Sequence, residues 1–116
     1  MIKRSSDYLE DLMENMRGGE GVIKIEHLLT QSEMYDKGRL FAKITVEPGD
    51  SVGFHVHEGE METYYIAKGE AEMSDNGVTA LVSAGDTILT KTGEGHSIKN
   101  IGDTVLEIIA LILFEK

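Results

Sequence analysis

The sequence predicts an all-β domain, a barrel or two-sheet sandwich preceded by one short helix. Three observations carry this. Short runs of apolar residues recur from Val22 to Phe114, and glycine-bearing turns cut them at regular intervals. One of those turns, Asn76-Gly77 between Met73 and Val78, is a strong hairpin signal. A chain of 116 residues is expected to form one domain, and a hydrophobic content of 41% is enough for a core.

The elements follow in order. Ser5-Ser6-Asp7 reads as a helix N-cap, and Tyr8, Leu9, Leu12, Met13 and Met16 recur at helical spacing. A helix from about Asp7 to Asn15 is expected, ended by the connector Arg17-Gly18-Gly19-Glu20-Gly21. That connector lacks the G-x4-G-K-[ST] pattern and precedes a strand, so it is not read as a phosphate cradle. Residues 1–21 are thus assigned to a helix and connector, and residues 22–116 to the barrel.

Val22–Leu29 alternates as a strand, and its His27 reads as an ordinary sheet histidine. Thr30 to Gly38 is polar and loop-like. Arg39–Val46 is a strand closed by the Pro48-Gly49 turn, where proline presets φ and glycine accepts a positive one. A strand bearing His55 and His57 follows, then Thr63–Ala67, bounded by Lys68-Gly69. Val78–Val82, Asp86–Thr90 and His96–Lys99 are short strands, and a turn over residues 100–103 leads into Thr104–Phe114. This last strand is apolar on both faces, with Ile108, Ala110, Ile112 and Phe114 on one and Ile109, Leu111 and Leu113 on the other. Strands of that kind are covered on both sides, either by the N-terminal helix or by a second subunit.

Composition narrows the function. Eleven basic residues stand against 21 acidic, for a net charge of −10, with no basic cluster. Nucleic acid, which is bound largely through Lys and Arg on phosphates, is a poor fit. There is no cysteine, hence no disulfide framework. The N-terminal residues hold no apolar signal segment, and the longest apolar run falls far short of the ~18 residues of a membrane span. A cytoplasmic protein without membrane partners is expected.

The chemistry gathers at two half-sites. His55 and His57, two apart on a strand, face the same way. Gly59 permits a reversal that would return Glu62 beside them, and His96 would arrive from a third strand. Imidazoles with a carboxylate suit one divalent transition metal (Mn, Fe, Ni, Zn, Co or Cu), and the lack of thiolates disfavours a structural zinc cage. Four ligands on an octahedral ion leave two positions open for a substrate. Glu58 and Glu60 compete with Glu62 for the carboxylate role.

These residues resemble the cupin superfamily. The pattern G-x5-H-x-H-x4-E-x6-G fits Gly49, His55, His57, Glu62 and Gly69, and G-x5-P-x-G-x2-H-x3-N fits Gly85, Gly93, His96 and Asn100, with Lys91 where the family usually has proline. The resemblance implies a double-stranded β-helix (jelly-roll) cupin barrel, a metal site of His55, His57, Glu62 and His96, and a homodimer. It also implies a small-molecule ligand. The expected function is metal-dependent chemistry on a small carboxylate or enediol, of decarboxylase or dioxygenase type. A non-catalytic binder of a sugar or organic acid, a sugar-phosphate isomerase, and a barrel whose metal merely staples strands are the alternatives.

Around the metal, Tyr64 shares the face of Glu62 and is expected to line the cavity, strand packing being its competing role. Phe54 and Met61 are expected as wall or lid. Glu58, Glu60 and Glu94 are candidates for proton transfer, and a phosphate-bearing substrate would need a basic side chain in the cavity, with Lys43 and Arg39 the nearby strand candidates. Lys91 is expected to be a solvated loop lysine, and Asn100 a turn residue.

Overall fold

The computed structural model describes all 116 residues and is built from ten strands. They are β1 (Leu9–Glu14), β2 (Val22–Leu29), β3 (Gly38–Val46), β4 (Ser51–Val56), β5 (Glu60–Lys68), β6 (Glu70–Asp75), β7 (Val78–Ser83), β8 (Thr87–Thr90), β9 (Gly95–Asn100) and β10 (Leu106–Phe114). They form a six-stranded sheet, β1-β2-β3-β10-β5-β8, and a four-stranded sheet, β4-β9-β6-β7. All the strand pairs are antiparallel, and together the sheets make the jelly-roll barrel that the cupin resemblance implies. No helix is long and apolar enough to cross a membrane.

Period-two alternation sorts the side chains. Ile23, Ile25, Ile44, Val46, Ile66 and Ile108 point from the larger sheet toward Val52, Met73 and Ile98 of the smaller. Ile23, Ile66 and Ile108 are fully buried, and each such side chain contributes about 1.5–3 kcal/mol.

The expected N-terminal helix is absent. Ser5–Asp7 is a single 3-10 turn, and Leu9–Glu14 is a strand paired with β2 from Leu9↔His27 to Glu14↔Val22. An isolated helix of this length is marginal in water, whereas the open edge of β2 offers a full ladder of hydrogen bonds. Tertiary pairing therefore overrides helical spacing. Asn15, Arg17 and Gly18, all with positive φ, reverse the chain between β1 and β2. β1, drawn from the segment placed outside the barrel on sequence grounds, is hydrogen-bonded into its larger sheet.

The reversal packs against β4 through two glycines. A Cβ on Gly53 would lie 2.1 Å from the Arg17 carbonyl oxygen, and one on Gly19 would lie 2.2 Å from that of Ser51. The backbones touch there, which fixes Met16 and Arg17 at the open end of the barrel.

β10 lies in the middle of the six-stranded sheet, between β3 and β5. Ile108, Ala110 and Ile112 are buried inward, while Ile109, Leu111 and Leu113 face out beside Phe41, Tyr65 and Leu89. Since no helix exists to cover this outer face, the N-terminal residues reach only one corner of it. There Met1, Lys3 and Tyr8 line a groove with Leu28, Leu29 and Phe41.

Gly53→Ala is expected to destabilise the fold by roughly 1–3 kcal/mol, because the added methyl meets backbone that cannot rotate away. Chemical denaturation checks this. Wild-type stability in the variant would mean that the β1–β2 reversal does not bear on β4.

Candidate metal centre

Strand pairing brings four ligating side chains to one point between the sheets. His55, near the end of β4, is directly opposite His96 of β9. His57 follows β4 by one residue, the chain reverses at Gly59 (φ 72°), and Glu62 returns on β5. The ligand atoms of His55, His57, Glu62 and His96 all lie within 4.8 Å of one another. His57, Glu62 and His96 are buried and His55 is half-buried.

The two nitrogens of each ring have separate tasks. The His55 Nδ1–H donates to the Gly53 carbonyl at 2.8 Å, and that of His57 to Glu60 Oε1 at 2.9 Å. The His96 Nδ1–H donates to Thr90 Oγ1 at 2.8 Å, and the Thr90 hydroxyl donates in turn to Asp75 at 2.5 Å. With the Nδ1 protons committed outward, the Nε2 lone pairs turn inward. His96 Nε2 stands 3.1 Å from that of His55 and 3.2 Å from that of His57. Glu62 Oε1 is 3.0 Å from His57 Nε2 and 2.9 Å from His96 Nε2.

Lone pairs so close repel one another unless a positive charge lies among them. Ligands at right angles on an ion with bonds of ~2.1 Å stand about 3 Å apart, so these separations suit a transition ion. The titrations agree. The hydrogen bond with Glu62 first, and that with Glu60 after it, raise the His57 pKa above its ordinary value despite burial. Burial lowers that of His55. Burial alone would raise that of Glu62, but its bonds to His57 and His96 prevail and lower it. The cluster favours positive charge, and the four residues could hold one divalent ion.

Above the cluster is a cavity of about 190 Å³ with apolar walls, among them Ile25, Ile44, Val52 and Ile112. Tyr64 lines it as its parity predicts, stacked on His96 at 5.1 Å. Burial first, and the Glu62 charge second, push the Tyr64 phenol well above its usual pKa, so it stays neutral. Asp11, Arg17, His27 and Arg39 supply the remaining charged or titratable lining. A larger groove, about 550 Å³, lies on the outer face away from these ligands, so size alone does not locate the chemistry.

Other expected residues fall elsewhere. Phe54 does not reach the cavity: alternation along β4 turns it opposite to His55, and it lies 65% exposed over Gly95. Met61 pairs with Leu113 on the outer run of β5 and does not line the cavity. Glu58 is exposed, and Glu94 accepts the Lys91 N–H at 2.8 Å while its own N–H donates to the Lys91 carbonyl at 3.0 Å. A proline at 91 could not make the first of those bonds, so the turn is pinned by a different device. Lys43 lies near Glu26 and Glu107, each 3.8 Å away, and is absent from the cavity lining. Asn100 is a buried turn staple, with its side-chain amide on the carbonyls of Val46 and Thr104.

Glu60 is no free acid. The Arg39 guanidinium holds it with Nε at 2.9 Å and Nη2 at 2.7 Å. That bond first, with His57 adding to it against burial, lowers its pKa to about 2. Sequence reasoning missed the His27–Asp11 pair, joined at 2.8 Å, because Asp11 had been placed on a helix. The Thr90–Asp75 support of His96 left no signal in the motifs.

The chain matches the Cupin domain family over residues 42–112 and belongs to it. An "Oxalate-binding protein" of Thermotoga maritima is 48% identical over 113 residues, 97% of this chain and 93% of that protein. A crystal structure of a "predicted oxalate decarboxylase" from Thermotoga maritima superposes with a TM-score of 0.94 at 47% identity, covering 98% of this chain and 99% of that one. The cupin domain of Schizosaccharomyces pombe Cnp3 shares the fold at a TM-score of 0.73 and 15% identity, over 90% of this chain and 68% of that one.

Glu62→Gln should abolish loading by manganese at micromolar concentrations, whereas Glu60→Gln should weaken it about 10–100-fold, as loss of a partner behind a ligand does. Elemental analysis after dialysis checks this. Equal loss in the two variants, or greater loss in Glu60→Gln, would exchange their roles. Because the bonds to Glu62 and Glu60 raise the His57 pKa, protons compete with the metal for that ring, and occupancy should fall as pH falls.

Proposed function

We propose that this cupin binds a small dicarboxylate of the oxalate class on one divalent transition ion held by His55, His57, Glu62 and His96. The inward convergence of three Nε2 atoms and the Glu62 carboxylate at the base of a cavity with apolar side chains in its walls carries this reading. An ion bound there supplies Lewis acidity and open positions for chelation. The cavity has room for about six water-sized groups at ~30 Å³ each. That suits a two-carbon diacid better than a sugar phosphate, and the names of the Thermotoga maritima relatives support the same class.

The chain's own residues do the rest. Ile25, Ile44, Val52 and Ile112 exclude water and so strengthen each electrostatic contact inside. Arg39 puts positive charge beside the cavity of an otherwise acidic chain, which favours an anion. Tyr64, kept neutral, remains a hydroxyl donor next to Glu62.

Decarboxylation of the bound acid is the second reading. Loss of carbon dioxide from oxalate leaves a carbon that must take up a proton, and Glu60 is ionised and already engaged. His27, paired with Asp11 and lining the cavity, is the group placed to carry that proton. Calorimetry with manganese-loaded and chelator-stripped protein tests the binding claim. Oxalate should bind the loaded form only, and equal binding to stripped protein would contradict it. Formate release, lost in His27→Ala with oxalate affinity retained, would mark turnover.

A homodimer belongs to the same proposal. The outward apolar row of Phe41, Tyr65, Leu89, Ile109, Leu111 and Leu113 is larger than the N-terminal segment covers, and a second copy is its natural cover. Leu111→Lys on the outer face should yield a folded, metal-binding monomer. Ile112→Lys on the inner face should misfold, because an unpaired buried charge costs several kcal/mol. Sedimentation velocity separates the outcomes, and a wild-type chain monomeric at tens of micromolar would contradict the dimer.

A further inference from the structure

We infer that Arg39, held in place by its ion pair with Glu60, recognises the outward oxygens of the chelated dicarboxylate. This rests on the reading that a dicarboxylate chelates the ion, and adds to it the residue that tells a dianion from a monoanion.

The observations concern the neck of the cavity. Beside the inner chamber is a second space of about 400 Å³, and Asp11, His27 and Arg39 are the three residues lining both. Anything reaching the metal ligands from that side passes them. Asp11 and His27 satisfy one another. Arg39 is the permanent cation of the three, since a guanidinium stays protonated.

Arg39 is fixed in advance. Its Nε and Nη2 engage the two oxygens of Glu60 side by side, the fork geometry that Arg makes with carboxylates. Glu60 Oε1 also accepts the His57 Nδ1–H, so one oxygen joins the guanidinium to a ring of the metal cluster. Arg39 is thereby tied to the same frame as the ligands, and its Nη1 makes no hydrogen bond within the chain. A ligand that accepts from Nη1 finds a donor whose rotamer freedom is already spent.

The chemistry of the ligand matches. An oxalate chelating through one oxygen of each carboxylate turns its other two oxygens away from the ion, toward the open side. A guanidinium edge at the neck can meet that outward pair. Glycolate chelates through a carboxylate and a hydroxyl and lacks the second carboxylate, so it offers less to Arg39. Arg17 also lines the chamber, but it is exposed and forms no ion pair that would hold it in place, which makes it the natural control.

The experiment measures oxalate and glycolate affinities by calorimetry for manganese-loaded wild type, Arg39→Gln, Arg39→Lys and Arg17→Gln, expressed per bound manganese. Arg39→Gln should weaken oxalate about ten- to hundredfold, the size of a lost charge-assisted pair, and glycolate less than about threefold. Arg39→Lys keeps the charge but not the fork, and should recover only part of the loss. Arg17→Gln should leave both ligands within about threefold of wild type. Equal loss of both ligands in Arg39→Gln, or unchanged oxalate affinity, would overturn the assignment. Should the loaded wild type bind no oxalate at all, the dicarboxylate reading itself fails, whereas oxalate binding that ignores Arg39 removes only this inference.

Discussion

Three imidazole nitrogens and a carboxylate, all within 4.8 Å of one another, form the contact on which the rest of this molecule depends. Unprotonated Nε2 atoms at that distance repel, and each Nδ1 is tied outward, to the Gly53 carbonyl, to Glu60, or to Thr90 and through it Asp75. The barrel keeps the group together against that repulsion. His55 and His96 are cross-strand partners in the smaller sheet, while Glu62 comes from the larger one. Closing the two sheets over a common core thus also closes the cluster, and a bound cation would turn a destabilising contact into a stabilising one.

The supports behind the ligands explain why this region carries so many charges in so small a space. Thr90 and Glu60 stand one bond behind His96 and His57, and Asp75 and Arg39 stand behind these in turn. Apolar walls separate this polar shell from the remaining core, so the electrostatics act at short range with little water between them. At the rim, Asp11, His27 and Arg39 line both the inner chamber and the space beside it.

Much of this was legible in the sequence because β-structure has a rigid period. Two histidines on one strand, a carboxylate after a glycine turn and a third histidine beyond a second glycine turn can be placed by counting. The Asn76-Gly77 hairpin and the two apolar faces of Ile108–Phe114 were readable for the same reason. The N-terminal strand was not. Tyr8, Leu9, Leu12, Met13 and Met16 have helical spacing, and only the unpaired edge of β2 decides against it. That one error hid Asp11 and with it the role of His27 in the lining. Phe54 was misplaced for a plainer reason, since the residue next to an inward histidine must point out. The Thr90–Asp75 support and the Arg39–Glu60 fork join residues 15 and 21 positions apart, and no local pattern marks them.

The most direct measurement is anomalous diffraction from crystals of the manganese-loaded protein. The account predicts a single strong peak per chain, within bonding distance of the Nε2 atoms of His55, His57 and His96 and of the Glu62 carboxylate. A peak elsewhere, a peak touching fewer than three of those four residues, or no peak from fully loaded protein would contradict it.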